Sequence, residues 1–156
     1  MKLHGLLQFF HLLFAISWAG SLVVAEWNGR AARATQDWTQ RATLFQIIHM
    51  SSRTAGSGSL FLAGLLGFGS AATAGFHLAR DPWTWIAAGV WLVALFGMVL
   101  LNVPYAARLA ATARLAAGGG SSEGWESGLA RWRFANVVQS VLYLATLGLM
   151  VFRWHS

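Results

Sequence analysis

Four runs of apolar residues alternate along the chain with polar stretches that carry most of its arginines. A helix that crosses a bilayer takes roughly 20 mostly apolar residues at 1.5 Å each. The segments at about 3–25, 54–76, 82–103 and 134–152 meet that length and predict four spans. The fold class expected is therefore all-α, an integral membrane four-helix transmembrane bundle that forms a single domain over residues 1–156. Between the second and third runs only "HLARDPW" intervenes, where Asp81 suits an N-cap and Pro82 the first helical position. Such a short turn makes these two helices an antiparallel hairpin. The flexible "GGGSSEG" precedes the last helix, with Glu123 and Glu126 suited to its first turn. The polar stretches themselves read as helical extensions. "TQRATLFQIIHM" leads into the second span, and "YAARLAATARLAA" continues the third.

Composition agrees with the pattern. Hydrophobic residues make up 56% of the chain and charged residues 10%, against about 25% charged in a soluble domain. The net charge of +6 would suggest nucleic acid in a soluble protein, but here it points to loops held at a membrane face. Arg30, Arg33, Arg41 and Arg53 lie in the first connection and Arg108, Arg114, Arg131 and Arg133 in the third; only Lys2, Arg80 and Arg153 lie opposite. The positive-inside rule then places both long connections in the cytoplasm and both termini outside, N-out and C-out, in the bacterial cytoplasmic (inner) membrane. Trp83, Trp85 and Trp154 would mark the outer rim, Trp27, Trp38 and Trp132 the inner one. The first apolar run, about twenty residues, exceeds the ~7–15 of a signal-peptide core and reads as a retained span.

Candidate chemistry is sparse. Without cysteine there is no disulfide, thiolate metal site or thiol nucleophile. The carboxylates, Glu26 included, fall in the predicted connections, so no intramembrane acid–base pair is expected. No GxSxG, HExxH or phosphate-binding glycine loop occurs. Asn102, Asn136 and Gln139 are expected to hydrogen-bond across the bundle. In the second helix, steps of four read Ala55, Ser59, Ala63, Gly67, Ala71 and Gly75, a seam of small residues. Such a seam lets helices approach closely in lipid; equally, it leaves room for a flat cofactor such as a haem.

The histidines are the remaining candidates. His11 lies well inside the first apolar run, where an ionisable side chain is costly and functional by default. His4, seven residues earlier, shares its face at about 10 Å along the axis. His77 and His155 are placed at the same outer end, and His49 alone at the inner one. Imidazole is a standard haem and copper ligand. The alternative for His11 is a hydrogen bond to Gln8, a serine or a backbone carbonyl of another helix.

The spacing His11, Trp18, Gly20 in "HLLFAISWAG" resembles the first helix of HemJ-type protoporphyrinogen oxidases and CopD-type copper-resistance membrane proteins. Over most of its length the chain looks closer to a family of predicted four-helix integral membrane proteins of unknown function. "HLLFAISWAGSL", "SGSLFLAGLLG", "DPWTWIAAGVWLVALFGMVLLNVPYAARL", "ARWRFAN" and "LGLMVFRW" carry that likeness by order and spacing. The HemJ likeness implies a haem b held by His11. Yet "TWIAAGVWLVALFGMVLL" lacks the lysine or histidine of HemJ-type later helices.

The leading expectation is a haem b-binding protein for electron transfer or haem-linked redox chemistry. His11 would be one axial ligand, His77 the nearest second ligand by topology, and Trp18 would lie beside the cofactor. A quinone is a conceivable redox partner. One alternative is a cofactor-free accessory subunit of a larger respiratory or photosynthetic membrane complex, its partners being the lipid bilayer and other membrane subunits. Another is periplasmic-side copper handling by a metal site at His4 and His155.

Overall fold

The computed structural model describes residues 3–76 and 80–153. Among them the chain forms four helices: α1 (Leu3–Ala34), α2 (Trp38–Thr73), α3 (Pro82–Ala117) and α4 (Trp125–Arg153). By length and composition α1, α2 and α3 can each cross a membrane. The helices run well past the expected spans at the arginine-rich end. α1 continues nine residues beyond Ala25, and α2 begins at Trp38 rather than near Thr54. The first connection is only residues 35–37. The hydrophobic run marks where a helix is apolar, whereas the helix itself stops only where something breaks it.

Here the break is a built corner. Asp37 caps α2 by accepting from Thr39 N–H at 2.8 Å, and Asp37 N–H donates to Thr35 Oγ1 at 3.1 Å. Arg41 closes the other side, donating from Nε to the carbonyls of Ala32 (3.2 Å) and Thr35 (3.0 Å) at the end of α1. Asp37→Ala is expected to cost about 1 kcal/mol of stability, read as a lower thermal midpoint in mild detergent. Asp37→Asn should largely retain it.

Two cores hold the bundle. At the basic end, small residues of α1 and α3 (Ala25, Ala32, Ala106, Ala110, Ala113) receive the large rings of α2 and α4. Phe45 stands edge-on to both Trp125 and Trp132, at centroid distances of 5.4 and 5.1 Å. Trp132, expected at the inner rim, is instead 2% exposed, because Gly29 on α1 offers a flat place for its indole. In the middle, Trp18, Leu22, Leu60, Ala94 and Met98 form the second core.

The buried face of α1 follows a heptad: Trp18, Ala25 and Ala32 at one position, Ala15, Leu22 and Gly29 at the other. His4 and His11 continue the first series towards the N-terminus. A period of 3.5 residues is what keeps one stripe facing its neighbours along a long helix.

Both α2 and α3 contain a π-helical segment, Ser52–Gly58 and Met98–Asn102, and these pack against each other. In α3 the cause is Pro104, two residues on. Proline has no N–H and its ring crowds the carbonyl four residues back. The helix widens ahead of it, and Val103 N–H reaches Met98 O. In α2 the segment is rich in serine and glycine, and the Thr54 and Ser57 hydroxyls bond the carbonyls of Met50 (2.8 Å) and Arg53 (2.5 Å).

Candidate functional site

The three described histidines do one thing. Each donates its Nδ1–H to a backbone carbonyl of the neighbouring helix: His4 to Ser70 O at 3.1 Å, His11 to Ala63 O at 2.7 Å, His49 to Val103 O at 3.2 Å. Two other long side chains behave alike, Trp91 Nε1–H donating to Leu60 O at 2.9 Å and Gln139 Nε2–H to Ala94 O at 2.8 Å. The α1–α2, α2–α3 and α3–α4 interfaces are thus each crossed by a side-chain donor on a backbone acceptor. Between α1 and α4 the bond is side chain to side chain, Asn136 Nδ2–H to Glu26 Oε2 at 3.5 Å. Without water, helices hold one another by close packing and such polar contacts.

His11 sits where the small seam of α2 allows it. A Cβ on Gly67 would lie 2.9 Å from Cε1 and Nδ1 of His11, so the imidazole takes the space a side chain there would fill. Further along, Ser59 donates to Ser17 Oγ at 2.9 Å, and Gly56 faces Ser21 Oγ. The seam of Ser59, Ala63 and Gly67 is therefore covered by α1, and a macrocycle does not fit between these helices in this packing. Trp18, one heptad step from His11, points into the bundle and meets Tyr143 edge-on at 5.0 Å. His77 and His155 lie outside the described residues. Among the described residues no group of three or more His, Asp or Glu comes together to hold a metal ion.

The sequence reading missed Glu26. It was expected in a loop, but because α1 runs on to Ala34 it stands within a helix, its side chain 39% exposed. Glu26 Oε1 accepts from Arg30 Nε at 2.7 Å while Oε2 faces Asn136. Glu26 and Arg30 close the basic end of a groove of about 430 Å³ between α1 and α4, with Ala19, Leu22, Val23 and Trp27 on one wall and Ser140, Tyr143 and Leu144 on the other. The i, i+4 spacing of Glu26 and Arg30 was legible in the sequence; the length of α1 was not.

Around the π-helical junction, Asn102 is 2% exposed and its side-chain amide has no hydrogen-bond partner among the described residues. Gln139 Oε1 and Trp18 Nε1 are buried in the same condition. Of the three amides expected to bond across the bundle, Gln139 and Asn136 do so and Asn102 does not. Comparison of the chain with known protein families, with curated proteins and with solved structures returns no match.

Proposed function

We propose that this chain is a four-span protein of the bacterial cytoplasmic membrane, N-out and C-out, that serves as a cofactor-free accessory subunit of a larger membrane complex. One observation carries the reading: His4 and His11 each use Nδ1 to bond a carbonyl of α2, so both side chains tie α1 to α2. The residues that looked chemical hold helices together. Further support comes from α4. From Val141 to Met150 it has no buried side chain, and Phe134, Val137 and Val141, none of them in the groove, are largely exposed. A partner's helices would cover this flank. The charge asymmetry turns the arginine-rich end to the cytoplasm, and α4, with 29 residues, is long enough to be the fourth span.

A second reading, haem b at His11, is favoured by one specific feature. Donation from Nδ1 to Ala63 O fixes the tautomer in which Nε2 carries the lone pair, the polarisation found in metal-ligating histidines. Nε2 makes no hydrogen bond among the described residues. Ligation would have to use the open side of the ring rather than the α1–α2 seam.

A reduced-minus-oxidised spectrum of the protein purified in mild detergent from haem-replete cells separates the two, together with native electrophoresis of the solubilised membrane. The subunit reading expects a colourless protein that migrates with other membrane proteins. In that case His11→Leu costs about 1 kcal/mol, the worth of one hydrogen bond between helices. A b-type spectrum near one haem per chain, lost in His11→Ala, would overturn it in favour of the second.

A further inference from the structure

We infer that the groove between α1 and α4 is the seat of one anionic phospholipid, with an acyl chain along its floor and the phosphate at Arg30. Three features of the groove point to this occupant, and none depends on whether His11 binds haem.

The first is depth. From Ala19 to Arg30 the groove follows eleven residues of α1, about 16 Å at 1.5 Å per residue. About half of that length lies in the apolar run, which ends at Ala25, and half beyond it, so the groove leads from hydrocarbon into the headgroup region. Its charged groups, Glu26 and Arg30, stand at one end only, and the Ser140 hydroxyl midway is turned to Asn136 O at 3.0 Å. Leu22, Val23, Tyr143 and Leu144 line the rest, so the polarity gradient of the groove is that of a lipid molecule.

The second is the state of Arg30. Its Nε is held by Glu26 at 2.7 Å, which fixes the plane of the guanidinium. The two terminal amino groups make no hydrogen bond among the described residues, and the side chain is 71% exposed. A fixed guanidinium with its outer edge available suits a phosphate, which it can meet with parallel hydrogen bonds.

The third is the surrounding charge. Glu26 neutralises one cation, but Arg133 adds another at the same level. It is exposed and lies seven and eleven residues before Ser140 and Leu144, spacings that recur on one side of a helix. The register confirms its height, since Glu26 meets Asn136 and Gly29 meets Trp132. Trp27 at the rim is 76% exposed, as an aromatic anchor at headgroup depth should be. A zwitterionic or neutral amphiphile would leave this basic end without its counter-charge.

Native mass spectrometry of the full chain, delipidated and then titrated with phosphatidylglycerol or phosphatidylcholine of identical chains, tests the assignment. The expected result is one phosphatidylglycerol retained per chain, with at least a fivefold preference over phosphatidylcholine. Arg30→Gln should bring that preference near one. Arg53→Gln, which removes the same charge from an exposed site on α2, should leave it unchanged. Ala19→Phe fills the floor without touching a charge and should abolish retention of either lipid. Equal retention of both lipids overturns the proposal. So does an equal loss of preference in Arg53→Gln, which would mean diffuse attraction, or undiminished retention in Ala19→Phe, which would place the lipid elsewhere. Displacement of phosphatidylglycerol by a quinone, unaffected by Arg30→Gln, would reassign the groove to a neutral ligand.

Discussion

Gly29→Ala is expected to destabilise the protein by about 2 kcal/mol, although in most helices the same change is stabilising. A Cβ there would stand 2.4 Å from Cη2 and 2.7 Å from Cζ3 of Trp132. The indole has nowhere to retreat. It is almost fully buried and stands against Phe45, which stands against Trp125, which in turn meets Trp38 at 5.3 Å beneath the Arg41 guanidinium. Overpacking of this kind costs about 1–3 kcal/mol; the up to ~1 kcal/mol that alanine gains in helix propensity offsets part of it. In thermal unfolding the midpoint should fall by roughly 4–8 °C, at about 2–4 °C per kcal/mol for a chain of this size. Trp132→Phe should cost less in the Gly29→Ala background than alone, because the smaller ring vacates the contested space. Additivity of the two changes within ~0.5 kcal/mol would mean that the residues do not meet.

Gly64→Ala should have an effect of similar size at the α2–α3 interface, by a different route. The new methyl would lie 2.1 Å from Cε2 and Nε1 of Trp91, so the indole must leave its place. It then loses its hydrogen bond to Leu60 O and its edge-on contact with Phe68 at 5.7 Å. The bond is worth about 0.5–1.5 kcal/mol, and displaced packing brings the total to about 2–3 kcal/mol. Trp91 is only partly buried, so the fold survives with the ring turned outward. The decisive comparison is in Trp91→Leu: with no indole over the site, Gly64→Ala should become neutral or stabilising, since only helix propensity remains. A loss of the same size in both backgrounds would show that Trp91 is not what the glycine accommodates.

These two glycines show where sequence reasoning stopped. The small seam of α2 was visible as a four-residue periodicity, and close packing was a fair expectation for it. Such a pattern does not account for Gly29 and Gly64: Gly29 ends a run of small residues at steps of four, Ser17, Ser21 and Ala25, yet what it accommodates is a ring of α4. Each is explained by one large ring on another helix, and nothing local announces which ring. The same holds for Trp132. A tryptophan flanked by Arg131 and Arg133 reads as an interface anchor, and only the flat surface at Gly29 turns it into a core residue.

The opening of the chain is similar. The cost of a histidine in an apolar run is a property of the residue and its neighbours, so a partner for His11 could be expected. That the partner is Ala63 O follows from the rotation of α1 about its axis, which the packing of Trp18, Leu22 and Ala25 decides. Glu26 was misplaced for the opposite reason. The apolar run ends at Ala25, but the helix does not, because no breaker occurs before the Thr35–Asp37 corner.

Hydropathy, a local sum along the chain, determined the all-helical class, three of the four expected spanning segments, the 82-onward start of α3 and the hairpin it makes with α2. Tertiary structure alone decided which donor meets which carbonyl, which rings are buried, and that Glu26 and Arg30 close a groove against α4. Those depend on helix register and rotation, which depend in turn on side chains more than a hundred residues apart in sequence.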